Sequence, residues 1–150
     1  MIRSYTESNR EVITNIYVAH SALEEKDLQY LKESINTKNV LIYDIKVTEH
    51  WFTDIPVLER LPEESFYRLL AFHILPENVD RCLYLDPDII IRKSLLPLYN
   101  ADLGERYIAA ASHMHGKKDN FNKARLGIRG QERYINSGVM LMNLKQIRRD

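Results

Sequence analysis

Runs rich in β-branched and aromatic residues alternate along this chain with runs of helical period, and this alternation limits the possible folds most. "VITNIYVAHS" (12–21) reads as a buried strand. Ser21-Ala22-Leu23-Glu24 matches a capping box with Ser21 as N-cap, and the helix after it places Leu28, Leu31 and Ile35 on one face. "VLIYDI" (40–45) is the next strand, and residues 46–61 read as a loop with short helical turns. Pro62 opens a helix with Glu63 and Glu64 near its positive end; Phe66, Leu69, Leu70, His73 and Ile74 form its apolar stripe, with His73 as a core residue. "RCLYLD" (81–86), "DIII" (88–91), "YIAAAS" (107–112) and "YINSGVMLMNL" (134–144) are strand-like. Residues 113–133 read as a polar loop, and "KQIRRD" as the start of a helix. The alternation predicts one α/β domain over 1–150 with a largely parallel sheet.

Composition narrows the function. Lys plus Arg (21) equals Asp plus Glu (21), so no basic surplus argues for a nucleic-acid or membrane partner. No apolar run reaches the roughly 18 residues of a membrane span. The one cysteine, Cys82, permits no internal disulfide, which fits a reducing compartment, and a cytoplasmic location is expected.

Charge breaks one apolar run. In "CLYLDPDIII" (82–91), Asp86 and Asp88 flank Pro87. Two residues apart in extended chain, their side chains point the same way with Cα atoms about 6.5 Å apart. Two carboxylates held so closely repel unless a cation or proton compensates them, and oxygen ligands suit Mg²⁺ or Mn²⁺ with positions left for substrate phosphates. The competing reading is a turn, because Asp-Pro is common turn chemistry and nine Asp in 150 residues give such a triplet by chance about 0.5 times.

Other candidates also read two ways. Arg68, beside the helical stripe, reaches a phosphate or makes a surface ion pair. Asn136, Ser137 and Gly138 interrupt an apolar strand, as a ligand's close approach or a bulge would require. His113 contacts substrate or metal, or is simply solvated. "GKK" (116–118) lacks the glycine spacing and the Ser/Thr of a phosphate-binding loop.

Together, "SFYRLLAFHILP" (65–76), "DRCLYLDPDIIIRKSLLPLYNADLG" (80–104) and "RYINSGVMLMNLKQIRRD" (133–150) resemble glycosyltransferase family 8, the retaining nucleotide-sugar enzymes that include lipopolysaccharide galactosyl- and glucosyltransferases and glycogenin. The resemblance implies the GT-A fold, a Rossmann-like nucleotide-binding sheet with flanking helices. It implies that Asp86 and Asp88 bind Mn²⁺ (or Mg²⁺) against the diphosphate of a UDP-hexose, that Arg68 contacts this donor, and that Asn136, Ser137 and Gly138 line its sugar pocket. The implied acceptor is a glycan or lipopolysaccharide, and no side chain is assigned as nucleophile. His113 stands where galactosyltransferase relatives often have an acidic residue. The family's first strand would precede Met1, and its Asp-Gln pair and metal-binding histidine would follow Asp150, so the expectation is a GT-A domain incomplete at both ends. Two other classes stay open: a non-catalytic relative, and a metal-dependent phosphoryl or nucleotidyl transferase using the same aspartates.

Overall fold

The structure, a computed structural model, describes residues 1–35, 37–48, 63–112 and 135–150. Helix α1 (Ile2–Ser8) leads into strand β1 (Thr14–His20), helix α2 (Glu25–Ser34) and strand β2 (Val40–Lys46). β1 and β2 are parallel, with Thr14 opposite Val40 and His20 opposite Lys46. A parallel pair needs a crossover, and α2 lies in it. Leu28 of α2, and Ile35 just past its end, are buried on the expected face.

The start of α2 differs from the expectation. Glu24, not Ser21, is the N-cap, and its N–H donates to Asp27 Oδ2 at 3.0 Å. The chain is still bent before that point, where the Leu23 N–H donates to His20 Nδ1 at 3.0 Å. An Asp three residues into the helix reaches back as a Glu does.

A 3-10 helix (Glu63–Leu70) continues into α3 (Ala71–Ile74). Tight turns advance about 120° per residue, against about 100° in an α-helix. The buried face follows that change: Tyr67 and Leu70 are three apart, while Ala71 and Leu75 are four apart. A uniform helical period places Leu69 and His73 on this stripe. Both are exposed instead, so His73 is not a core residue.

Strand β3 (Arg81–Leu85), helix α4 (Leu96–Tyr99), strands β4 (Ile108–Ser112) and β5 (Ile135–Asn143), and helix α5 (Leu144–Arg149) complete the described elements. β5 lies between β3 and β4 and is antiparallel to both. The expected largely parallel sheet is therefore corrected: among the described residues only β1–β2 is parallel. Strand propensity marks which residues extend, but it carries no direction. "DIII" (88–91) is not a strand either. Pro87 offers no N–H to a ladder, a turn follows at 87–88, and Ile90 is exposed while Ile91 is buried.

The core gathers Ala71, Leu75, Met140, Met142 and Leu144, with Tyr17 and Ile45 packed against them from the parallel pair. Val47, Tyr67 and Leu70 form a second cluster with Ala19 and Phe66. The helix 63–74 thus packs against both sheets, which fixes Arg68 over the end of β5. Arg148 of α5 locks the far end of that helix. Its guanidinium donates to the carbonyls of Phe72 (2.8 Å), Leu75 (2.8 Å), Pro76 (3.2 Å), Glu77 (3.1 Å) and Val79 (3.0 Å). These include carbonyls that a helix end leaves without partners.

Candidate functional site

β3 ends at Leu85, opposite Val139, but the ladder extends one residue further: the Asp86 N–H donates to the Gly138 carbonyl at 2.8 Å. Asp86 thereby lies across β5 at Gly138. A Cβ built on Gly138 would stand 2.6 Å from Asp86 Oδ2 and 3.2 Å from Asn136 Oδ1. The glycine interrupts the strand because the Asp86 carboxylate occupies the space a side chain would fill.

Arg68 closes the group from above. Its Nη1 donates to the Ser137 carbonyl and to Ser137 Oγ, both at 2.8 Å, and its Nη2 lies 3.2 Å from Asp86 Oδ1. The Arg68 and Asp86 side chains are 16% and 28% exposed, so the pair is only partly hydrated. Tyr84, two residues before Asp86 on the same strand face, donates its hydroxyl to Asp86 Oδ1 at 2.8 Å. The Arg68 guanidinium sits 4.9 Å from the Tyr84 ring centroid, within cation–π range. The Tyr84 phenol is pushed up to about 12, first by burial, then by its bond to Asp86 and by both aspartate charges, against the opposing pull of Arg68. The hydroxyl is therefore a proton donor to Asp86 throughout the neutral range.

Asp86 and Asp88 differ in how they are held. Asp86 is fixed through its side chain and backbone, whereas Asp88 follows the Pro87 turn, is exposed, and bonds to no other described residue. Its charge still reaches the cluster, since it contributes to the Tyr84 shift. Asn136 turns back on its own strand, its Oδ1 accepting the Gly138 N–H at 2.9 Å.

The structure thus brings Arg68, Asp86, Asn136, Ser137 and Gly138 together, with Asp88 beside them. His113 lies outside the described residues. Tyr84 was not anticipated: inside an apolar run it reads as core, and its place two residues before Asp86 was the available signal. Among the described residues no three His, Cys, Asp or Glu side chains cluster as a metal-ligand set. The pair of carboxylates still fits a hard divalent cation that keeps open positions for phosphate oxygens. Asp86 Oδ2 lies in the notch at Gly138, and Asp88 is open to solvent.

The chain is similar to known glycosyltransferases. A lipopolysaccharide 1,2-glucosyltransferase of Escherichia coli is 23% identical over 145 residues, covering 97% of this chain and 43% of its own length. A putative glycosyltransferase of Haemophilus influenzae is 22% identical over 134 residues, covering 88% of this chain and 40% of the relative. The chain spans less than half the length of these curated relatives. Among solved structures, the galactosyltransferase LgtC in complex with donor and acceptor sugar analogs superposes with a TM-score of 0.84 at 26% identity, over 99% of this chain and 54% of that one. The fold is the GT-A fold of glycosyltransferases. The family model "Glycosyl transferase family 8" matches residues 1–150. The chain belongs to glycosyl transferase family 8.

Proposed function

We propose that this chain provides the donor-binding part of an enzyme that moves a hexose from a UDP-sugar to a hydroxyl of a glycan or lipopolysaccharide acceptor, with retention at the anomeric carbon. One observation carries the reading: the Asp86 carboxylate is fixed at a strand end, against a glycine notch and under the Arg68 guanidinium. Asp86 and Asp88 would hold Mn²⁺ or Mg²⁺, which when bound supplies Lewis-acid stabilisation of the departing diphosphate. Arg68 contributes a second fixed positive charge for the donor, oriented by Ser137 and the Tyr84 face. Tyr84 holds Asp86 in its rotamer as a neutral donor. Asn136, Ser137 and Gly138 form the wall against which the sugar lies, and His113 is a candidate contact to the sugar or acceptor. No side chain here is assigned as nucleophile. No helix among the described residues is long and apolar enough to cross a membrane, and we place the reaction in the cytoplasm.

The test is proton NMR of the full-length protein with UDP-glucose or UDP-galactose, Mn²⁺ and a lactose-type or lipopolysaccharide-core acceptor. The reading predicts an α-linked product or, without acceptor, release of α-hexose. A β-anomer as first product would refute retention. Complete absence of turnover together with absence of UDP binding would favour a non-catalytic relative.

A further inference from the structure

After Asp88 the chain runs to Leu96 without a strand or helix, so its backbone groups need partners from elsewhere. α1 supplies them. The Ile91 N–H donates to Ser4 Oγ at 3.0 Å, and the Ile91 carbonyl accepts from Ser8 Oγ at 3.0 Å. Ser4 and Ser8 are four apart, one turn of the helix, so their hydroxyls stand in a row on one face. They grip both backbone groups of one residue, as a neighbouring strand would. Proton directions agree: Ser4 donates to the Met1 carbonyl and accepts from Ile91, while Ser8 donates to Ile91. One step further, Asn9 Oδ1 accepts from the Leu95 N–H (2.9 Å) and from Ser94 Oγ (3.0 Å). Asn9 is 4% exposed, and its amide donates to the Tyr5 carbonyl, which fixes which end of the side chain faces the loop. Ile91 itself is 7% exposed, so the gripped point is also packed.

These bonds matter because of the contrast between the two aspartates. Asp86 is oriented by Tyr84, Arg68 and Gly138, but the Asp88 side chain bonds to no other described residue. Its position is set by backbone alone: the Ile89 N–H reaches the Asp86 carbonyl only at a long 3.5 Å, and the first backbone point after Asp88 held by short bonds is Ile91, three residues on. We propose that Ser4, Ser8 and Asn9 are positioning residues for Asp88: α1 acts as a side-chain splint that fixes the second carboxylate of the donor site relative to the first. This inference rests on the proposed donor-binding reading and assigns a function to polar residues of α1 and its C-cap that lie outside the site itself.

The experiment uses the full-length protein and compares wild type, S4A/S8A, Asp88→Asn and their combination. Alanine keeps the helix, and S4T/S8T serves as the rescue because it restores both hydroxyls. Amide exchange at Ile91 and the Kd of Mn²⁺ in saturating UDP, read by Mn²⁺ paramagnetic resonance at 10 °C, are measured together. The expectation is faster Ile91 exchange and about a tenfold rise in Mn²⁺ Kd for S4A/S8A, typical for groups that orient a metal ligand. Both effects should be largely reversed in S4T/S8T. In the Asp88→Asn background the serine changes should add nothing to the Mn²⁺ Kd, because what they position is gone. Faster Ile91 exchange with unchanged Mn²⁺ Kd, or an equal further loss on top of Asp88→Asn, would overturn the proposal. Failure of wild type to bind Mn²⁺ with UDP would instead overturn the donor-site reading beneath it. If S4A/S8A does not fold, the single variants S4A and S8A carry the same comparison.

Discussion

Two arginines meet the helical segment 63–74, Arg68 from within it and Arg148 of α5 at its C-terminal end, and they are held in different ways. Arg148 is bound by five backbone carbonyls, so its partners move only if the fold moves. Arg68 has one main-chain partner, the Ser137 carbonyl, and is otherwise bound by the Ser137 hydroxyl, the Asp86 carboxylate and the Tyr84 ring. Side-chain partners can turn toward a ligand without unfolding anything. The contrast separates a fold-holding charge from a site charge: Arg148 meets carbonyls alone, whereas Arg68 also meets a carboxylate with chemistry of its own.

Substitution is the most direct way to break that contrast. Arg148→Ala should cost about 3 kcal/mol of unfolding free energy, because several carbonyls lose a charged donor together. Arg68→Ala should cost only about 1 kcal/mol, since the pair it breaks is partly exposed, yet it should abolish UDP binding. Urea denaturation beside UDP titration checks both. Equal stability losses, or UDP binding untouched by Arg68→Ala, would erase the distinction.

Gly138→Ala sharpens the comparison on the site side. The new methyl would meet Asp86 Oδ2 at 2.6 Å, so the carboxylate must turn away. The expected cost is about 2 kcal/mol with Mn²⁺-dependent UDP binding strongly weakened. The same denaturation and titration measurements report it.

Cys82 gives the smallest effect, on the fold side. Burial raises its thiol from 9.0 to about 11, with Arg148 nearby pulling slightly the other way. A group raised in the folded state contributes stability that is fully present below pH 9 and is lost as pH climbs toward about 11. Folded protein at pH 8 should therefore react with a thiol reagent only as fast as it opens, and stability should decline between pH 9 and 11. Rapid labelling at pH 8 would show the strand to be looser than the packing around Met142 and Leu144 implies.

Much of this was legible in the sequence for simple reasons. β-branched runs and helical stripes gave the elements, and Asp86, Arg68 and the Asn-Ser-Gly break in β5 stood out as polarity in apolar surroundings. Strand direction was not legible, because pairing is decided by long-range contacts: the centre of the β3–β5–β4 sheet is a strand from the far end of the chain. The phase of the segment 63–75 was missed because a uniform helical period cannot reveal tight turns, which moved Leu69 and His73 outward. Tyr84 looked like core, and nothing local singles out Ser4, Ser8 and Asn9. Their partners lie up to 87 residues away, and no local pattern encodes them.

The central claim is that Asp86 and Asp88 together hold a metal-bound UDP donor, and calorimetric titration of UDP tests it most directly. In Mn²⁺ the wild-type full-length protein should bind UDP at least tenfold more tightly than in EDTA, and Asp86→Asn and Asp88→Asn should each remove that gain while remaining folded. UDP affinity that is the same with and without Mn²⁺, or a metal gain that survives both substitutions, would contradict the account.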